Sequence, residues 1–200
     1  LPDDKRVRVI TGDIADRATV AALIGKGTDA VYHLAAIVSG QAEADPDLGY
    51  RVNLDGTRAV LDACRALGSA PKVIFASSLA VYGGALPHSV GDDTALTPQS
   101  SYGTQKAIGE LLVNDYTRKG FVDGRALRLP TVVVRPVLPN RAASTFASSM
   151  LREPLTGKDA VCPVSPDTVM ALASPRRVVA SLAHALDIPG SALGHNSTLQ

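Results

Sequence analysis

Lys72-Val73-Ile74-Phe75-Ala76 is a short apolar run that closes on the polar pair Ser77-Ser78. A run of this length and β-branched character reads as a strand buried on both faces, the kind found inside parallel sheets. Upstream of it, Val52, Gly56, Ala59, Val60, Ala63 and Leu67 recur along one face of a helix from about Tyr50 to Leu67, with Gly68 as its C-cap. Further upstream, Arg8–Thr11 and Ala30–Leu34 read as two more strands. Between these two, Asp16 caps a helix carrying Val20, Leu23 and Ile24. Downstream, a helix runs from Ser101 or Tyr102 to Lys119, followed by a strand at Arg125–Leu129. The turn-rich stretches Ile37–Gly49 and Gly83–Ser101 read as loops. Strands and helices alternate, which predicts an α/β fold with a doubly wound parallel sheet over residues 1–136. Beyond Pro136 the alternation decays to helices at about Ala142–Arg152 and Pro175–Leu186, a second region spanning 137–200.

Composition narrows the function classes. Twenty basic against 19 acidic side chains give a formal charge of +1, too little for a polyanion such as nucleic acid. Five Tyr, three Phe and no Trp leave little aromatic surface for stacking bases. Two cysteines, Cys64 and Cys162, are too few for a disulfide framework, and the four histidines show no metal-ligand spacing, so no metal site is expected. No apolar run is long enough to span a membrane, and no basic-then-apolar leader opens the chain. The expectation is a cytoplasmic globule with no nucleic-acid or membrane partner.

Chemistry in an open α/β sheet collects outside the carboxyl ends of the strands. Gly12-Asp13, Ala35-Ala36 and Ser77-Ser78 fall at three such ends. Small residues there let a ligand approach the backbone. Tyr102 and Lys106 lie four apart and so share a helix face, and of the five tyrosines only Tyr102 has a lysine at that spacing. A cation beside a phenol is expected to lower its pKa toward the range of a general base. Ser78, 24 residues earlier at a strand tip, is placed to donate to the oxygen on which Tyr102 would act.

With these residues assembled, the sequence resembles the extended short-chain dehydrogenase/reductases, the NAD-dependent epimerase/dehydratase family. The matching stretches are Gly12-Asp13-Ile14, His33-Leu34-Ala35-Ala36, Asn53-Leu54-Asp55-Gly56-Thr57, Ser77 through Gly83, and Tyr102-Gly103-Thr104-Gln105-Lys106. Arg135-Pro136, Pro139 through Ser144, Arg152 through Gly157 and Ala173 through Arg176 resemble its D-erythronate dehydrogenase branch, although Val137 stands where that branch has Gly. The resemblance implies a Rossmann-type domain and NAD-dependent oxidation of the C2 hydroxyl of a four-carbon sugar acid. It implies Ser78, Tyr102 and Lys106 as the catalytic group. Asp13, Ile14, Leu34, Ala35, Ala36, Asn53, Tyr102, Lys106, Pro130 and Val132 are then the cofactor positions. Ser78, Asn140, Ser144 and Arg176 are the substrate positions, and a homodimer through the Tyr50–Leu67 and Tyr102 helices is the implied assembly.

The family's glycine-rich phosphate-binding turn has no counterpart here. Gly25-Lys26-Gly27-Thr28-Asp29-Ala30 has the Gly-x-Gly-x-x-Ala spacing but follows a helix and precedes a strand, so it reads as a plain turn. The expectation is a chain that starts after the family's first βαβ unit and stops before its C-terminal end, with a gap in the sheet. By itself such a chain is expected to bind NAD weakly or not at all, and to be marginally stable. Two other readings are a nucleotide-sugar epimerase or dehydratase, with Arg135, Arg141 and Arg152 gripping the nucleotide, and a non-catalytic Rossmann regulator.

Overall fold

A computed structural model describes residues 4–135, 141–193 and 197–199. Strands β1 (Ala30–His33), β2 (Lys72–Ser78) and β3 (Asp123–Leu129) pair in parallel, with Val73 opposite Val31 and Phe75 opposite Ala126. A short strand β6 (Thr198–Leu199) joins β3, giving the contiguous order β1-β2-β3-β6. β1 forms one edge of this sheet, and no described strand stands beyond it, where the gap is expected. A separate two-stranded ribbon pairs β4 (Thr131–Val132) with β5 (Leu172–Ala173).

Alternation along β2 explains the layers. Val73 and Phe75 point to one face, where they meet α1 (Arg17–Leu23), α4 (Gly56–Leu67) and α5 (Ser101–Arg118) through Val20, Val60, Leu61 and Val113. Ile74 points the other way, with Leu127, onto α7 (Pro175–Asp187) through Leu182, Ala185 and Leu186. Both faces are covered, as the unbroken apolar reading of β2 requires.

Two expectations are corrected. Arg8–Thr11 is extended but belongs to no strand, and Val9 and Ile10 are 64% and 44% exposed. A β-branched run becomes a strand only where a neighbour accepts its backbone hydrogen bonds, and no described segment pairs with this one. The stretch Ile37–Gly49 is no plain loop, since it holds α2 (Ser39–Ala44) and α3 (Pro46–Gly49), the latter capped by Asp45. The long amphipathic helix opens with a π-helical turn, Tyr50–Asp55, before regular α-helix begins at Gly56. Asp16 and Gly68 cap α1 and α4 as their chemistry predicts. Gly25–Thr28 is a turn at the amino end of β1, away from the strand ends that bind ligands. Beyond residue 140, α7 and β6 belong to the layers of the main sheet, while helix α6 (Thr145–Arg152) and the short turns Pro154–Thr156 and Gly190–Ala192 are the other described helical segments.

Candidate active site

The carboxyl ends of β1, β2 and β3 open into a cavity of about 1020 Å³. Leu34 and Ala36 line it after β1, Ser77 and Ser78 at the end of β2, and Leu129, Pro130 and Val132 after β3. Tyr102 and Lys106 enter it from α5. The strand tips and the helix face meet because α5 crosses directly over β2. That crossing depends on two glycines. A Cβ on Gly103 would stand 2.1 Å from the Ala80 carbonyl oxygen, and one on Gly109 would stand 2.7 Å from the Phe75 ring. Hydrogen at both positions lets the helix settle onto the strand and onto the tight turn Leu79–Val81.

The Ser78 hydroxyl lies next to the Tyr102 phenol in the cavity wall and accepts from the Ala80 amide at 3.1 Å. Burial raises the Tyr102 pKa, while the neighbouring Ser78 hydroxyl pulls the other way. The expected lowering by Lys106 is therefore not what the geometry delivers. The Lys106 ammonium lies 5.7 Å from the Tyr102 ring centroid and spends a hydrogen bond on the Ala76 carbonyl, at 2.7 Å. Burial depresses Lys106 to about 8, with Glu110 acting in the opposite sense. At neutral pH it still carries its positive charge.

Behind the three residues lies a buried ion network. Arg128 of β3 grips the Glu110 carboxylate through Nε, at 3.1 and 3.2 Å, and Nη2, at 2.8 Å. Ser77 donates to the same carboxylate at 2.5 Å, and Arg128 also reaches the Tyr82 hydroxyl. The network ties α5 to the tips of β2 and β3, so Ser78 and Lys106 are held by neighbours that are themselves fixed. Sequence reasoning did not single out Glu110, although it lies four residues beyond Lys106 on the same helix face.

The remaining expected positions divide. Leu34, Ala36, Pro130, Val132 and Ser144 line the cavity, and Ala35 sits between two lining residues. Asp13 and Ile14 do not line it. Asp13 caps Ala15 and pairs with Arg51 at 2.6 Å, while Ile14 packs against the core beside Gly56. Asn53 is buried away from the cavity. Its amide oxygen accepts from the Ile37 amide at 2.7 Å, and its nitrogen donates to the Ile37 carbonyl at 3.0 Å and to Gln105 at 2.7 Å. It thus braces the segment after β1 against α5. Arg176 is exposed at the start of α7 and lies outside the cavity lining, and Asn140 lies outside the described residues. Arg135, weighed above only for a nucleotide, does line the cavity. His33 is buried and bonded to the Thr57 hydroxyl at 2.8 Å, with its pKa pushed down to about 4 by burial and then by Lys106.

A serine at a strand tip, beside a tyrosine that shares a helix face with a buried lysine, defines a class of site built to handle a hydroxyl or carbonyl oxygen and its proton. The chain belongs to the NAD dependent epimerase/dehydratase family, whose model matches residues 2–187. It is 62% identical to a D-erythronate dehydrogenase of Cupriavidus necator, over 96% of this chain and 60% of that protein. To a D-erythronate dehydrogenase of Haemophilus influenzae it is 54% identical, over 94% of this chain and 59% of that protein. Among solved structures, one described as a nucleoside-diphosphate-sugar epimerase from Agrobacterium tumefaciens superposes with a TM-score of 0.88 at 48% identity, covering 94% of this chain and 56% of that one. The chain spans about 60% of the length of the curated relatives it matches. No described helix is long and apolar enough to cross a membrane.

The residues present fit one end of a dinucleotide. Small and apolar groups, Ala36, Pro130 and Val132, flank the wall that carries Lys106 and Tyr102, leaving room for a flat ring. Among the described residues, no glycine-rich turn joins the end of a strand to a helix, so this part of the sheet offers no phosphate cradle of that kind.

Proposed function

We propose that this chain carries the catalytic part of an NAD-dependent dehydrogenase acting on the C2 hydroxyl of a four-carbon sugar acid, with D-erythronate as the substrate. The observation that carries the reading is the Ser78–Tyr102–Lys106 group at the mouth of the cavity, on a chain whose relatives bear that activity in their names. When bound, NAD supplies the hydride acceptor, held on the Leu34–Ala36 and Pro130–Val132 side with Lys106 beside it. Tyr102 takes the proton from the substrate hydroxyl at its phenol oxygen. Ser78 donates to that substrate oxygen as it becomes a carbonyl. Lys106, on the same cavity wall and still charged at neutral pH, holds the cofactor's sugar beside Tyr102. The tight turn after β2 and the buried Glu110–Arg128 pair keep these atoms in register.

The same proposal includes a cytoplasmic setting and a homodimer through α4 and α5. Its test is reduction of NAD by the full-length gene product containing this chain, offered D-erythronate, its four-carbon epimers and a nucleotide-sugar. Oxidation of a sugar acid that Tyr102→Phe abolishes, with NAD binding retained, supports the reading. Activity surviving Tyr102→Phe overturns the assignment of the base, and turnover confined to the nucleotide-sugar overturns the substrate.

A further inference from the structure

We infer that Arg135 is the residue that holds the substrate carboxylate and so selects acids over neutral polyols, an inference that rests on the proposed dehydrogenase reading. Among the cavity-lining residues the charged side chains are Lys106, Arg135 and Glu43. Lys106 is committed to the Ala76 carbonyl and faces Phe75 and Tyr102. The Glu43 carboxylate accepts from the Ser101 amide at 2.9 Å, which sets its charge against the amino end of α5. Arg135 is half-buried and makes no ion pair with any described residue, and its guanidinium contacts the Thr145 hydroxyl only at a long 3.3 Å. A half-buried guanidinium without a carboxylate partner leaves part of its desolvation unrepaid, and an anionic ligand in the cavity would repay it.

Its backbone is firmly placed. The Arg135 amide donates to the Ser148 hydroxyl at 3.3 Å, and its carbonyl accepts from Arg152 at 2.9 Å. Arg152 is itself paired with Glu153 at 2.5 Å, so the neighbouring cation is neutralised and Arg135 is not. A planar fork on a fixed backbone suits a carboxylate, which it can grip through two parallel bonds.

The test compares D-erythronate with its primary amide, which keeps the C2 hydroxyl and loses the charge, on the full-length gene product. Arg135→Gln is expected to lower kcat/KM for the acid by about 10- to 150-fold, the range of a charge-assisted bond, and to leave the amide unchanged. Arg135→Lys keeps the charge without the fork and should fall between. An equal loss on acid and amide in both variants, or no change in the ratio, overturns the role of Arg135 while wild-type oxidation of the acid still upholds the dehydrogenase reading. If the wild type oxidises no acid, both fall together.

Discussion

Replacing Gly103 by alanine asks whether the close seat of α5 on the turn after β2 creates the active site. The added methyl would stand 2.1 Å from the Ala80 carbonyl oxygen and 3.0 Å from the Pro98 Cβ. An ordinary carbon–oxygen contact needs a further separation of roughly 1 Å, which the first turn of α5 can gain only by moving off the Leu79–Val81 turn. Tyr102 is the preceding residue on that turn, so its phenol is carried away from Ser78 and the β2 tip by a similar distance. A misplacement of about 1 Å in a reacting group costs on the order of 100-fold in rate. Helix propensity alone predicts the opposite sign for stability, a gain of up to about 1 kcal/mol on replacing glycine by alanine. The expected outcome for Gly103→Ala in the full-length gene product is a fall of about 100-fold in kcat/KM together with a net loss of up to about 2 kcal/mol in unfolding free energy, steric cost less propensity gain. Steady-state kinetics and urea unfolding measure the two. Activity near wild type with a raised unfolding midpoint would refute the close-seat argument.

Three further outcomes follow from the buried charges. Glu110→Gln removes the anion of a pair whose side chains are only 2% and 5% exposed, leaving Arg128 charged and under-partnered, and should cost about 3 kcal/mol or more by urea unfolding; an unchanged midpoint would show the pair is not holding the site. Lys106 has its folded pKa pushed down to about 8 from an ordinary 10.5, so the unfolded chain holds a proton that the folded one has released between these values. Its burial penalty is therefore present in full below pH 8 and relieved as the pH rises to 10.5. Lys106→Met should gain on the order of 1–3 kcal/mol at pH 7 and lose that alkaline rise in stability, while losing turnover. Unfolding curves from pH 7 to 10.5 check both parts. His33 is held near 4 against an ordinary 6.5, so its contribution is intact above 6.5 and lost as the pH falls through 4. His33→Gln should remove a dependence of up to about 3 kcal/mol across that window, and an acid limb that persists in the variant would assign it to other groups.

Local periodicity and local chemistry were legible along the chain before any contact between distant residues was known. The apolar run at Lys72–Ala76, the helical stripe ending at Gly68 and the Tyr102-x-x-x-Lys106 spacing each report on neighbours within a few residues, and each stands in the structure where its pattern placed it. The order of the motifs along the chain then identified the family, because strand tips in a parallel sheet all open on one edge. Tertiary structure alone decided the rest. Arg8–Thr11 has a strand's composition but is no strand, since pairing needs a neighbour that composition cannot supply. Arg176 and Arg135 look alike in sequence, yet only Arg135 lines the cavity, because the β4–β5 ribbon and α6 fix where each backbone lies. The Glu110–Arg128–Ser77 network joins residues 18 and 33 positions apart, and only the crossing of α5 over β2 and β3 brings them together. The protonation of Tyr102 and Lys106 was beyond reading from their spacing, because burial, a property of the whole packed fold, outweighs the attraction that four residues of separation suggest.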